Sequence, residues 1–350
     1  MSPLALIIGL LCCLLPASKP AAPPGLLAKV VLEKRGAHPE CAVFLRDGKT
    51  VAFAGGGALG PGELLFWNVE TRKPIKAFHE HKFSIVSIAL SPDGKQIATG
   101  GGFGEVKVWD TAGKVLASLD GRAEYTYGIA YSPDGKWLAY TGDPLTVRET
   151  VGFKIVPAYK KNTACGPSIA FNPDGKSLVG TIQNELRFYT FPEWKEASFT
   201  STVRKQRYGN VRYAPDGKSV AISTVVSRDE HIPDSIFSIE VWSISGAAVG
   251  KKRFEVPGHF IGYCFTADSK YLVVGESDPQ AGDIREYIRV IDVATGKEAV
   301  SWAAGVKLTI RHLTLSPDGK LLVSCDDYEG GKVWDFEKLM GKYWVDGKKK

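Results

Sequence analysis

The sequence is poor in cysteine, the residue that staples small secreted domains. Six cysteines occur among 350 residues. Cys12 and Cys13 lie in an N-terminal hydrophobic stretch, and the other four are far apart along the chain. This spacing excludes the dense disulfide framework of a small secreted domain. We interpret the remaining four as buried free thiols.

Long hydrophobic runs are also missing. The longest, from Leu4 to Leu15, is shorter than the roughly 20 residues that a membrane-spanning helix needs. Because Pro16-Ala17-Ser18 and a proline-rich stretch follow it, we predict a signal peptide at residues 1–18 and a spacer at 19–25. No Lys or Arg precedes the run, so an uncleaved anchor is the alternative. The sequence thus predicts an exported protein (periplasmic, cell-envelope or secreted) without a membrane span after cleavage.

A strong charge of either sign is absent. The net charge is +6, from 44 basic and 38 acidic residues, and part of it comes from the basic tail at 346–350. The other basic residues are spread along the chain and form no stripe. This distribution argues against a dedicated nucleic-acid-binding protein.

Motifs for catalysis, cofactors and metals are missing as well. No G-x-S-x-G elbow is present, and the acidic loops lack the spacing of a calcium loop. Gly55 to Gly60 matches G-x-G-x-x-G but leads into a strand, so no helix N-terminus would receive a phosphate. His79 and His81 have no third ligand fixed by spacing, and we interpret their segment as a solvated loop. We predict no cofactor and no metal.

What the chain does contain is a repeat. Ser91-Pro92-Asp93-Gly94 fits a type I turn between two strands. The same turn recurs at seven aspartates, at intervals of 40 to 52 residues, which is typical of four-stranded propeller blades. These aspartates are Asp47, Asp93, Asp134, Asp174, Asp216, Asp268 and Asp318.

A second marker follows most turns, a strand that ends in an aromatic or branched residue and often Asp. Through Trp109-Asp110 and Trp334-Asp335, residues 26–345 resemble the WD-repeat (WD40) β-propeller family. In that family, Gly-His, Ser or Thr, Asp and Trp form a hydrogen-bonded tetrad within a blade. Gly-His occurs here only at Gly258-His259, and that blade has Ile291 in place of Trp, so we expect no blade to complete the tetrad. The SPDGK turns are also similar to Tol-type periplasmic propeller repeats.

The resulting fold prediction is all-β: a seven-bladed β-propeller in which each blade is a four-stranded antiparallel sheet. The last blade lacks a suitable outer strand, whereas residues 28–36 have the right pattern. We therefore predict that this N-terminal strand completes blade 7 and closes the ring. Closure makes blades 7 and 1 neighbours, so a bridge between Cys41 and Cys325 stays open as an alternative to free thiols.

Insertions mark the face opposite the DGK turns. Blades 5 and 6 are lengthened there, and loops exposed on a rigid scaffold favour recognition. Tyrosine and arginine are suited to a partner surface. The predicted partner-binding residues are Tyr125, Tyr208, Arg228, Asp229, His231, Asp278, Arg285 and Tyr328.

These observations predict a non-catalytic, monomeric scaffold that binds a protein or peptide partner. The alternative is a propeller hydrolase or oxidoreductase with its site at the central pore, because catalytic groups from separate blades would not form a legible sequence motif.

Overall fold

The computed structural model describes residues 23–33, 36–57, 60–121, 124–142, 145–156, 165–182, 185–190, 193, 196–199, 206–226, 236–245, 248–278, 285–306, 309–326 and 329–343. The predicted signal peptide and basic tail lie outside these ranges, as does the spacer up to residue 22. Among the described residues, no helix is both long enough and apolar enough to cross a membrane.

Seven antiparallel sheets make up the molecule, and we number these blades in chain order. The first described strand, β1 (Leu26–Val30), belongs to blade 7. Blade 1 contains β2 (His38–Phe44), β3 (Thr50–Gly56), β4 (Gly62–Asn68) and β5 (Lys73–His81). Blade 2 contains β6 (Ile85–Leu90), β7 (Gln96–Gly101), β8 (Glu105–Asp110) and β9 (Val115–Asp120). Blade 3 contains β10 (Ile129–Tyr131), β11 (Trp137–Tyr140) and β12 (Thr146–Glu149). Blade 4 contains β13 (Cys165–Phe171), β14 (Ser177–Ile182), β15 (Glu185–Thr190) and β16 (Glu196–Phe199).

The remaining blades follow the same order. Blade 5 contains β17 (Gln206–Tyr213), β18 (Ser219–Val226), β19 (Ile236–Ser245) and β20 (Ala248–Pro257). Blade 6 contains β21 (His259–Phe265), β22 (Tyr271–Asp278), β23 (Arg285–Asp292) and β24 (Glu298–Val306). Blade 7 contains β25 (Ile310–Leu315), β26 (Leu321–Asp326) and β27 (Gly330–Asp335), and α1 (Phe336–Tyr343) follows. The predicted seven-bladed propeller is confirmed.

Blade 3 is the least regular blade in the described part of the chain. Its sheet has three described strands, and the position of a fourth is marked by a bridge between Arg148 and Ile155. The Val156 amide also donates to the Val147 carbonyl at 2.9 Å. The outer edge of this blade is therefore paired over a short length among the described residues.

The repeated turn is held by its aspartate. In every repeat, the Oδ1 atom of this residue accepts a hydrogen bond from the backbone amide of the lysine two positions later. Ser91 also donates to Asp93, at 2.6 Å, and Gly94 adopts a φ of +74°. An Asx-type hydrogen bond followed by a left-handed glycine fixes the tight link between the first and second strands.

The core lies between the blades. All seven residues of β3 are buried, and the indoles of Trp109 and Trp334 are fully buried. One apolar cluster joins Val30, Phe53 and Val323, and so links blade 1 to blade 7 across the closure. Because each sheet packs on both faces against neighbours, its inner strands are apolar on both sides.

Closure through the N-terminal strand is confirmed, with a shift in its bounds. Strand β1 pairs antiparallel with β27, from Leu26 opposite Trp334 to Val30 opposite Gly331. The strand ends at Val30 because the chain leaves the sheet at residues 31–33, where the Glu33 amide donates to Glu63 of blade 1. Cys41 and Cys325, which flank this joint, are both free and buried, so the alternative bridge is not formed.

Candidate functional site

The loop between β7 and β8 is held by a buried polar chain in blade 2. Nε2 of His81 lies 2.7 Å from Thr99 Oγ1, which also accepts a hydrogen bond from the Trp109 indole at 2.8 Å. Nδ1 of His81 lies 3.1 Å from Glu105 Oε2, and the Lys82 amide donates to the same oxygen. A carboxylate only accepts, so Nδ1 carries the imidazole proton.

This chain of contacts corrects two expectations from the sequence. Blade 2 does complete a tetrad of the WD-repeat type, with Glu105 in the place of the aspartate. His81 is buried within it, whereas we expected a solvated loop. The sequence concealed the tetrad because Glu80 replaces the glycine before the histidine and the acid is one methylene longer. Burial alone would raise the pKa of Glu105, but the hydrogen bonds from His81 and Lys82 outweigh it and lower that pKa to about 2.

Beside this tetrad lies a cluster of aromatic side chains that we call the aromatic patch, formed by Phe83, Phe103, Tyr125 and Tyr127. The ring centroids of Phe83 and Phe103 are 4.3 Å apart, and the stacked rings of Tyr125 and Tyr127 have centroids 5.3 Å apart. Gly102 joins the two pairs, since a Cβ atom placed there would lie 2.9 Å from Phe83 and 3.3 Å from Tyr125. The patch therefore runs from blade 2 to the start of blade 3.

Phe103 is held in an unfavourable position within this patch. Its φ is +54°, a left-handed conformation that costs a bulky residue about 1 to 3 kcal/mol, and its side chain is 67% exposed. Its amide donates to the Glu124 carbonyl, which fixes the loop of blade 2 to the entry of blade 3. A strained, exposed phenylalanine gains little from folding, which points to a role in recognition.

The patch borders the central channel, because Tyr127 also lines a cavity of about 210 Å³ at the axis. We call this cavity the channel mouth. All seven blades line it with residues at or next to the end of their first strand that lies away from the DGK turn. Its polar residues include Glu40, Ser87, Ser168, Asn210, Arg212, Arg311 and His312. Burial raises the pKa of the Tyr127 phenol, and the nearby charges of Arg311 and Glu40 act on it as well.

A repeated β-bulge shapes the channel mouth. Glu40, Val86 and Arg311 are each an extra residue between two paired neighbours on the first strand of their blade. A bulge turns the extra side chain away from its regular direction. Here it directs Glu40 and Arg311 into the channel, where they form an ion pair at 3.5 Å.

The channel mouth brings ionisable groups together at the axis, as the alternative of a pore-centred enzyme requires. Nδ1 of His312 accepts a hydrogen bond from the Ala42 amide. Burial, reinforced by Arg212, lowers the pKa of His312 to about 3, which keeps the ring neutral near pH 7. Because a general acid or base works best with a pKa near the operating pH, this arrangement favours binding over proton transfer. Among the described residues, no group of three or more His, Cys, Asp or Glu could hold a metal ion.

Of the eight predicted site residues, Tyr125 is the one that the described structure places in the aromatic patch. Tyr208, Asp278 and Arg285 lie on β17, β22 and β23, at the strand ends that face away from the DGK turns. Arg228, Asp229, His231 and Tyr328 lie outside the described residues.

Sequence reasoning did not select Phe83, Phe103, Arg212 or His312. For Phe103, the available signal was an aromatic residue enclosed by glycines in GGFG. For Arg212, it was a long cation at a position where the other repeats carry smaller residues.

The tetrad of blade 2 coincides with a match to a known repeat. Residues 72–110 match the family model described as WD domain, G-beta repeat. This repeat and the seven-bladed fold support the resemblance of the chain to the WD40 β-propeller family. The likeness to Tol-type periplasmic repeats, in contrast, stays a prediction.

The chain aligns with parts of two relatives. The chain is 29% identical over 143 residues to the small ribosomal subunit protein RACK1y of Oryza sativa subsp. japonica. It is 22% identical over 310 residues to the transcriptional corepressor LEUNIG_HOMOLOG of Arabidopsis thaliana. These alignments include 38% and 87% of the chain, but only 41% and 36% of the respective relatives.

A solved propeller shares the fold. The β-propeller domain of Myceliophteria thermophila Cps50 (Swd1) superimposes with a TM-score of 0.65 at 15% identity, over 86% of this chain and 98% of that one. At this identity the likeness concerns the fold alone.

The prediction of an exported protein is wrong. It rested on the hydrophobic N-terminal run, whereas the similar WD40 proteins are cytosolic or nuclear proteins of eukaryotes, among them a ribosomal protein and a transcriptional corepressor. A short apolar run of this kind is a weak signal, because no basic residue precedes it.

Proposed function

We propose that this WD40 propeller is a non-catalytic scaffold that binds a protein or peptide partner on its loop-rich face. The observation that carries the proposal is the aromatic patch, in which a strained and exposed Phe103 is held against Phe83 beside the channel mouth. Aromatic side chains with a large exposed area and few rotatable bonds are favoured anchors of protein interfaces. The relatives include a ribosomal subunit protein and a transcriptional corepressor, which supports a role in protein assemblies.

Phe103→Asn tests the patch. Asparagine tolerates the left-handed backbone, so we expect an unchanged or slightly higher free energy of unfolding, by up to about 1 kcal/mol. Affinity for a purified partner should fall about tenfold or more, as for an interface anchor. Calorimetry and chemical denaturation measure the two quantities. The matched control is Val151→Asn, which changes an exposed apolar residue outside the patch and should leave affinity unchanged.

A site-specific photo-crosslinker identifies the partner. Introduced at Tyr125, it should capture the same protein that binds the unmodified propeller, while the same group at Lys136, in a DGK turn, should not. Equal capture from both positions would contradict binding on the loop-rich face.

The insertions of blades 5 and 6 form the second part of the proposed surface. We expect Arg228→Ala and Tyr208→Ala to weaken partner binding without lowering the melting temperature, because residues in loops and at strand ends of a rigid scaffold contribute more to recognition than to the core. The remaining predicted residues, Asp229, His231, Asp278, Arg285 and Tyr328, belong to the same surface. If neither alanine variant changes the affinity, the aromatic patch alone is the site.

A further inference from the structure

One arginine breaks the pattern of the channel wall. Residues four positions before the turn aspartate are partly exposed in six blades and exposed in blade 5, although their neighbours one position earlier are mostly buried. Because the first strands surround the axis, these residues face the channel. Six are small or medium in size, namely Val43, Ala89, Ala130, Ala170, Cys264 and Thr314. The seventh is Arg212, whose side chain is exposed and lines the channel mouth.

Arg212 differs from other cations of the molecule in its surroundings. Arg289 pairs with Glu276 and Glu298, Arg311 pairs with Glu40, and the buried Lys332 pairs with Asp326. Within the described ranges, the Arg212 guanidinium has no carboxylate within 4.0 Å, and its one polar neighbour is His312. The positive charge of Arg212 is therefore uncompensated in the channel.

The nature of the contact with His312 depends on the tautomer of its ring. Nδ1 of His312 faces the Ala42 amide, which donates to it at 3.4 Å, so the neutral ring carries its proton on Nε2. Nη2 of Arg212 lies 3.4 Å from that Nε2 atom, and two donors face each other. An oxygen atom placed within hydrogen-bonding distance of both donors would satisfy them together.

We propose that the channel mouth binds a carboxylate group, which accepts hydrogen bonds from the Arg212 guanidinium and from Nε2–H of His312. The charges favour a single negative charge, because Glu40 offsets one of the two guanidinium groups. The cavity of about 210 Å³ is far larger than the ~30 Å³ that one water occupies, so it accommodates a side chain. The source that fits the neighbouring aromatic patch is an Asp or Glu side chain of the bound partner, and this step rests on the proposed function.

The experiment uses the full chain with 15N-labelled arginine. At constant ionic strength, it is titrated with N-acetyl-aspartate methylamide, acetate, inorganic phosphate and methylammonium chloride. We expect the Arg212 Nε resonance to shift saturably with N-acetyl-aspartate methylamide. Acetate should bind more weakly, because it lacks the backbone groups, and methylammonium should produce no shift. Arg72, on the exposed turn before β5, serves as the internal control for screening by salt.

Substitution provides the second readout. In Arg212→Gln, the affinity for N-acetyl-aspartate methylamide, followed at the His312 ring, should fall about tenfold or more, since a charge-assisted hydrogen bond is lost. Arg72→Gln should leave it unchanged. If the variant does not fold, the titration of the wild-type protein still decides. An unsaturable shift shared by Arg212 and Arg72, or binding of phosphate without either carboxylate, would overturn the proposal.

The same titration separates this inference from the proposed function. Phe103→Asn leaves Arg212 in place, so the carboxylate affinity should persist even where partner binding is lost. Saturable binding of acetate without binding of N-acetyl-aspartate methylamide would overturn the side-chain source and identify a free small carboxylate as the ligand.

Discussion

Thr99 shows how much a single hydroxyl supports in this propeller. It receives the Trp109 indole and contacts His81, and through His81 it connects to Glu105, which anchors the loop that bears Phe103. In blade 7, the Trp334 indole donates to Ser324 at 3.0 Å in the same manner, but the described part of that blade contains no histidine at this contact. The two blades therefore offer a matched pair for measuring the tetrad.

Thr99→Val removes the hydroxyl and keeps the shape of the side chain. The Trp109 indole and the His81 ring would each lose a buried hydrogen bond, so we expect the free energy of unfolding to fall by about 2 to 4 kcal/mol. Ser324→Ala removes the acceptor of the Trp334 indole alone and should lower the free energy of unfolding by about 1 to 2 kcal/mol. Urea denaturation measures both, and equal losses would show that His81 adds nothing to blade 2.

Glu105 makes part of this stability dependent on pH. Its pKa in the folded state is lowered to about 2 from an ordinary value of 4.5. The unfolded chain thus binds the proton more tightly. The stabilisation is complete above pH 4.5 and is lost as the pH falls through 2. We expect the wild-type protein to lose more stability between pH 6 and pH 3 than Glu105→Gln, because the turn aspartates titrate in both proteins. Parallel curves from chemical denaturation would contradict this role.

At the scale of the element, strand β1 supplies the outer strand that the last repeat lacks. The chain that follows β27 forms α1, in which Phe336 and Leu339 are buried, so its described part up to residue 343 supplies no outer strand to blade 7. Strand β1 covers that edge, and Val30 and Leu32 are buried next to blade 1. A propeller of this kind is joined at one blade by the two ends of its fold.

Deletion of residues 26–36 should open this joint. Exposure of two buried aliphatic side chains and of the edge of β27 costs about 3 to 6 kcal/mol or more. For a chain of this size that corresponds to a fall in melting temperature of roughly 10 °C or more. Calorimetry on chains that begin at residue 23 and at residue 37 measures the effect. A truncated protein that melts like the longer one would refute closure through β1.

At the scale of the whole molecule, two buried thiols lie at the joint between blades 7 and 1, where the ring closes. Cys41 and Cys325 are buried there, and burial raises the pKa of both thiols well above the ordinary value. A thiol that is both inaccessible and protonated reacts slowly with alkylating reagents. Access to these two residues therefore reports on opening of the ring.

We expect Cys41 and Cys325 of the intact protein to be alkylated only at the rate of global unfolding. Deletion of β1 should accelerate both by an order of magnitude or more, because the joint then opens locally. Cys264 of blade 6, which is partly exposed, serves as the control and should react at similar rates in both proteins. Peptide mapping by mass spectrometry follows each site. Uniform acceleration of all three would indicate general destabilisation instead.

Sequence alone determined the number of blades, the turn in each and the closing strand. These features depend on local rules that repeat: Asp93 and Gly94 suffice to form their turn, and apolar strands need neighbours on both faces. The bounds of β1 were less accurate because the exit of the chain after Val30 depends on contacts with blade 1, such as that of Glu33 with Glu63. The position of Tyr125 on the loop-rich face was predicted for the same topological reason.

Only the tertiary structure determined the tetrad and the channel mouth. His81 and Glu105 are 24 residues apart, and Arg212 and His312 are 100 residues apart. Their meeting depends on the way the sheets stack around the axis and on bulges that redirect single side chains. A repeat pattern fixes which residues occupy equivalent positions, but the distance between positions in different blades is set only when the ring has closed.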